Sequence, residues 1–192
     1  VKPLFIHIPR TGGNTIRQVL GSAIQSYHHD NVMSLKERLG FRWDDTFKFS
    51  VVRNPWDRAY SAYLLHSFDR QDRKAKFKPD SLHWQREDFH EWLHLPWKDG
   101  GWYFQYSTSN MLVGESGTIE VDSVWQFECG VPGIIRDLCE RMGIEQRVVT
   151  THAKKAHFRR KFTYRDVIVD DDDIELIADA GWVETDIFGY EY

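Results

Sequence analysis

Phe5-Ile6-His7-Ile8-Pro9-Arg10-Thr11-Gly12-Gly13-Asn14-Thr15-Ile16 is the stretch whose reading decides the fold. Leu4 to Ile8 is a short apolar run with one polar interruption, the pattern of a buried strand. Pro9 stops ladder pairing. Gly12 and Gly13 permit a tight turn and the close approach of a ligand. Ile16, Val19, Leu20 and Ile24 then fall on one face of a helix. The order is strand, glycine loop, helix. At the helix start, N–H groups without intrahelical partners meet the positive end of the dipole, so the loop suits a phosphate-like anion. Arg10 adds a full charge inside it. No Gly-Lys-Ser/Thr closes the loop as in a Walker A site, and it is not a dinucleotide G-x-G-x-x-G. An ordinary strand-to-helix turn holding two glycines is the other reading of these residues.

Outward from this stretch the pattern repeats. Gln25 to His28 reads as a second short strand, His28-His29-Asp30-Asn31 as a polar turn, and Val32 to Leu39 as a short helix stopped by Gly40. Phe47 to Val52 alternates and then turns fully apolar, as a strand entering a buried sheet does. Asn54 is a good N-cap and Pro55 suits the first helical position, so a helix is predicted to about Phe68. Alternating strands and helices point to a parallel α/β sheet with right-handed crossovers. Phe68 to Gly101 holds no clear strand. It reads as an insertion, at about 69–101, over one edge of the sheet, with a short helix around Glu87 to Leu95. Asp122 to Glu128 is a further strand and Gly130 to Met142 a helix stopped by Gly143. Thr150 to Lys161 is a basic loop. Asp170 to Asp173 opens a last helix, with Ile174, Ile177 and Ala178 inward and its acids complementing the helix dipole.

The chain has 192 residues and a net charge of −4. Its length fits one domain over 1–192, and its charge supplies no overall field toward nucleic acid or membrane. No run reaches the length of a transmembrane helix, and no signal peptide is visible. Cys129 and Cys139 form neither a disulfide framework nor a zinc set, which favours a reducing, cytoplasmic setting.

A second informative stretch is Phe49-Ser50-Val51-Val52-Arg53-Asn54-Pro55-Trp56-Asp57-Arg58-Ala59-Tyr60-Ser61-Ala62-Tyr63. Ligands of doubly wound sheets bind beyond the carboxyl ends of the strands, where Arg53 stands. Ser61 follows Asn54 by about two helical turns and faces the same side. A nucleotide kinase or ATPase usually places a carboxylate beyond a neighbouring strand to hold magnesium. An arginine there suits direct reading of a phosphate without a metal.

Together, F-I-H-I-P-R-T-G-G-N-T and F-S-V-V-R-N-P-W-D-R-A-Y-S-A-Y resemble the two cofactor signatures of the carbohydrate sulfotransferases that use 3′-phosphoadenosine 5′-phosphosulfate (PAPS). Val124-Trp125-Gln126-Phe127-Glu128 before a helix is similar to that family's later strand with its glutamate. Asp186-Ile187-Phe188-Gly189-Tyr190 resembles its C-terminal ending. The resemblance implies a three-layer α/β/α sulfotransferase fold of the P-loop-like kind. It implies a loop of Arg10, Thr11, Gly12, Gly13, Asn14 and Thr15 around the 5′-phosphosulfate, with Arg53 and Ser61 on the 3′-phosphate. The family usually has lysine where Arg10 stands.

On that reading a sulfuryl group passes from PAPS to a hydroxyl of an acceptor, expected to be a glycan or other small molecule, and no metal takes part. Arg10 stabilises the leaving phosphate oxygen. The family uses a histidine a few residues before a short helix as base. That leaves His28 and His29, of which the register from Leu35 favours His29. His7, inside the first strand, reads as a core or loop-supporting residue. Lys154, Lys155, Arg159, Arg160 and Lys161 form either a closing loop or a solvated basic surface. Trp84, Phe89, Trp92, Trp97, Trp102, Tyr103 and Phe104 form either an acceptor cleft or a small satellite core.

Two alternatives remain open from the sequence. One is a nucleotide- or glycan-binding protein without turnover. The other is a zinc hydrolase through His90-Glu91-Trp92-Leu93-His94, which matches H-E-x-x-H, with Glu115 as a conceivable third ligand. Gly100 stands where the longer metzincin pattern needs histidine.

Overall fold

Leu4–Ile6 forms β1, a three-residue strand with every residue buried. In the computed structural model, which describes residues 1–27, 29–69, 77–94, 100–145 and 160–192, β1 pairs in parallel on both sides. Gln25–Ser26 (β2) lies on one flank and Lys48–Val52 (β3) on the other. Ser123–Gln126 (β4) adds in parallel to β3, so the sheet order is β2-β1-β3-β4. The two central strands are buried throughout, while the edge strands β2 and β4 are half-buried. This explains why Leu4–Ile8 and Phe49–Val52 read as near-continuous apolar runs: strands covered on both faces have no polar side to show. The protein is therefore α/β with a parallel sheet. Among the described residues, no helix is long and apolar enough to cross a membrane.

Contacts divide the chain into two compact units, Val1–Arg53 with Thr108–Phe158, and Asn54–Ser107 with Arg159–Tyr192. The first unit holds the sheet, with Gly13–Leu20 (α1), Val32–Leu39 (α2), Thr108–Leu112 and Val131–Met142. Phe5, Phe49 and Val51 pack with Ile16 and Leu20 of α1 and with Ile134, Ile135 and Leu138. The helix starts and stops follow local chemistry. The Asn31 side chain accepts from the Ser34 N–H to cap α2, and Gly143 ends Val131–Met142 in the left-handed conformation. Lys48 opens β3 although it is buried. Its ammonium donates to the carbonyls of Thr46 (2.8 Å) and Trp43 (3.2 Å) and lies 3.1 Å from Asp122 Oδ2. The cation is thus accommodated by the acceptors around it.

The second unit is helical: Pro55–Asp69 (α3), Leu82–His94 (α4), Gly100–Gln105, Tyr164–Val167 and Asp171–Ala180. In chain order Gly100–Gln105 is α5, Thr108–Leu112 is α6, Val131–Met142 is α7, Tyr164–Val167 is α8 and Asp171–Ala180 is α9. Asn54 Oδ1 accepts from the Asp57 N–H, capping α3 as expected. The helix expected at Glu87 to Leu95 begins earlier, because Ser81 caps it through its side chain to Trp84 N and its carbonyl to Gln85 N. Phe89, Trp92 and Tyr103 are fully buried with Tyr60, Tyr63 and Ile177. Of the two readings of these aromatics, Phe89, Trp92 and Tyr103 are core, with Phe104 packed against it, and it is the main core of this unit rather than a satellite. Trp97 lies outside the described residues. Arg58 is wholly buried, 3.9 Å from Glu184 and stacked over Tyr103, and it donates to the Tyr106 carbonyl.

Burial raises the phenols of Tyr60 and Tyr103 to about 12 and lifts that of Tyr63 further. A phenol whose folded pKa exceeds its unfolded value of about 10 stabilises the fold fully below pH 10. That contribution is lost as pH rises through the folded value. We expect the contribution of these tyrosines to be constant up to about pH 10 and to fall above it. Unfolding should coincide with a step in tyrosinate absorbance at alkaline pH. A gradual titration of these tyrosines near pH 10 without unfolding would contradict the burial argument.

Candidate functional site

The chain leaves β1 through α1 to reach β2 on one side, then crosses to β3 on the other. The carboxyl ends of β1 and β3 therefore flank a topological switch point, where open parallel sheets bind ligands. Three parts of the first unit meet there: the loop from His7 to Gly13, His29 after β2, and Arg53 after β3.

The loop is shaped from within. Thr11 is fully buried and its hydroxyl donates to the Ile8 carbonyl at 2.7 Å, so its side chain holds the turn. Gly12 is the N-cap of α1 at φ 79°, and no side chain caps the helix. The first turn of α1 also carries no acid. The helix start is thus left electropositive. Arg10 adopts φ 71°, a left-handed conformation costly for a side-chain-bearing residue. Arg53, 8% exposed, donates from Nη1 to the Arg10 carbonyl at 2.8 Å, and its guanidinium stacks 4.5 Å from the Phe127 ring centre. One arginine thereby helps hold the backbone of the other.

His7 is buried and packs against Gly13, where an added Cβ would come within 2.0 Å of the imidazole. It supports the loop, as the sequence suggested. Gly13→Ala should therefore cost about 1–3 kcal/mol of stability, the usual penalty of overpacking. A denaturation midpoint unchanged from the parent protein would refute this packing role. His29 lies 4.8 Å from His7, ring centre to ring centre, and its Nδ1 is 3.1 Å from the His7 carbonyl oxygen. A carbonyl only accepts, so Nδ1 carries the hydrogen and Nε2 is the basic nitrogen of the neutral ring. His29 also sits at φ 58°. His28, the other candidate, lies outside the described residues.

A cavity of about 490 Å³ opens beside the loop, lined by Asn14, Arg17, Gln18, Gly21, Ile24 and Ser26. Asn14 belongs to both the cavity and the start of α1. Arg17 was not among the residues singled out from the sequence. Its only signal was a place one turn along α1 from Gly13. The half-buried Thr15 follows Asn14. Ser61 lies within α3 of the second unit and is 2% exposed. Of the basic loop, Arg160 pairs with Asp57 and Lys161 with Asp80 in the second unit. Residues 150–159 lie outside the described residues.

Comparison with protein-family models, curated proteins and solved structures finds no match to this chain. The site's chemistry rests on its own residues. An uncapped helix start, two arginines and a histidine with its basic nitrogen defined by a backbone contact suit an anionic ligand beside a proton acceptor.

Proposed function

We propose that the chain is a sulfotransferase that moves a sulfuryl group from PAPS to a hydroxyl of an acceptor, a carbohydrate by the resemblance of its motifs. The observation that carries this reading is the Arg53 contact to the Arg10 carbonyl at the switch point. It joins the two stretches on which the resemblance rests, in an anion site built from arginines and backbone.

In the reaction, the acceptor oxygen attacks sulfur in line as the bond from sulfur to the bridging 5′-phosphate oxygen breaks. The sulfuryl group leaves the nucleotide for the acceptor, and the products are a sulfate ester and 3′-phosphoadenosine 5′-phosphate. The acceptor proton passes to Nε2 of His29. Arg10 and the N–H groups at the start of α1 offset the charge that grows on the departing phosphate oxygen. Catalysis by positioning and charge is expected by analogy with phosphoryl transfer. The polar lining of the cavity beside Asn14 suits a hydroxyl-rich acceptor.

Calorimetry tests the donor. The protein should bind 3′-phosphoadenosine 5′-phosphate more tightly than adenosine 5′-phosphate. Release of the former from PAPS should depend on an added hydroxyl acceptor and persist after exhaustive chelation. Equal affinity for the two nucleotides would end the PAPS reading. Tight, selective binding with no transfer to any of a panel of glycans would leave the binding-protein alternative instead.

A further inference from the structure

His90 and His94 occupy positions i and i+4 of α4, so both rings project from one face of that helix. Their centres are 4.6 Å apart. The opposite face of α4 is the core face, with Phe89, Trp92 and Leu93 buried. Asp173, in the first turn of α9, completes a cluster with the two histidines. Its Oδ1 lies 3.0 Å from His90 Nδ1 and 2.8 Å from His94 Nε2. The Asp173 side chain is 3% exposed, whereas the two imidazoles are about half-exposed at 53% and 44%. Asp173 thus stands where the sequence offers Glu115 as a third ligand, and does more than complement the dipole of α9. Asp170, not Asp173, is the cap of α9, accepting from the Asp172 N–H. Among the described residues, this is the group of three ligand-type side chains whose atoms converge, all within 4.8 Å of one another.

We infer that His90, His94 and Asp173 bind one divalent transition-metal ion of the zinc class, which ties α4 to α9. Two imidazole nitrogens and a carboxylate oxygen are borderline donors, suited to zinc rather than to calcium or magnesium. Tetrahedral zinc with bonds of about 2.1 Å needs donor atoms about 3.4 Å apart. The two separations from Asp173 Oδ1 reach that with shifts of about half an ångström, and all three donor atoms already lie within 4.8 Å of one another. A carboxylate this buried requires partners for its oxygens, and a cation held between it and the two imidazoles is one way to supply them. Half-exposure of the rings leaves the fourth position to water. The inference is independent of the sulfotransferase reading.

The test is titration of the chelator-treated full chain with zinc, and in parallel with cobalt, whose visible absorption reports four-coordination. One zinc per chain is expected, with a rise in melting temperature and a cobalt band of a four-coordinate nitrogen–oxygen site. His94→Ala and Asp173→Asn should each weaken zinc by more than about 100-fold, since even outer-shell losses cost 10- to 100-fold. His83→Ala is the control, because exposed His83 and Glu87 form an i,i+4 pair that is another place for zinc to settle. It should leave the affinity unchanged. Should a variant fail to fold, the cobalt spectrum and zinc-dependent melting of the parent protein decide alone. No zinc bound below about 100 μM, or binding abolished by His83→Ala and kept in His94→Ala, overturns the inference. Sulfuryl transfer lost on chelation would count against a metal-free reaction, not against this site.

Discussion

Replacing His29 by alanine is expected to lower kcat by about 10²- to 10⁴-fold, the usual loss for a general base, while binding of 3′-phosphoadenosine 5′-phosphate stays nearly unchanged. The expectation follows from the contact of Nδ1 with the His7 carbonyl, which defines Nε2 as the nitrogen that takes the acceptor proton. His29 must be neutral to do so. Turnover should therefore rise with pH across the range in which histidine loses its proton, and the variant should lose that dependence. His29 has a left-handed backbone, which alanine adopts less readily than asparagine. His29→Asn is thus the cleaner variant: it keeps the backbone and lacks the basic nitrogen. Both variants should be equally impaired. His28→Ala should be mild. A crippled His28→Ala with an active His29→Asn would move the base by one residue. If all three stay active, Glu128 or a histidine between 152 and 157 is the next candidate.

Arg53→Ala is expected to weaken 3′-phosphoadenosine 5′-phosphate by about 2–4 kcal/mol, or roughly 30- to 1000-fold, as for loss of a charged partner. The structure adds a second consequence. Without Arg53, the Arg10 carbonyl loses a donor and Phe127 loses the guanidinium stacked on it. The loop itself should loosen, so adenosine 5′-phosphate should weaken as well, though less. Arg53→Lys retains the charge but not the planar fork, and should fall between parent and alanine variant. Calorimetry with both nucleotides separates the effects. A folded Arg53→Ala protein with parental affinity for the 3′-phosphorylated nucleotide would remove Arg53 from the site.

Much of the architecture was legible because its signals are local. The apolar runs of β1 and β3, the cap at Asn54 and the stop at Gly143 each act within a few residues. Hydrophobic period and capping chemistry decide such features before any long-range contact forms. The early start of α4 is not legible in the sequence because its cap is a single serine side chain, easily lost among the polar residues around it. The Thr163–Asp166 capping box that opens α8 is equally local and was passed over beside the basic loop.

By itself, then, the sequence determined a parallel α/β sheet, a glycine loop leading into a helix and an arginine after the third strand. What these residues do to one another was decided only by tertiary structure. Arg53 reaches the Arg10 carbonyl across 43 positions, and His29 reaches the His7 carbonyl across 22. Asp173 looks, in sequence, like its three acidic neighbours. It becomes a buried partner of His90 and His94 because α9 brings its first turn against the histidine face of α4, 83 and 79 residues away. Helical period says which side chains share a face, but not which distant face will meet it; that depends on how the cores of the folded chain pack.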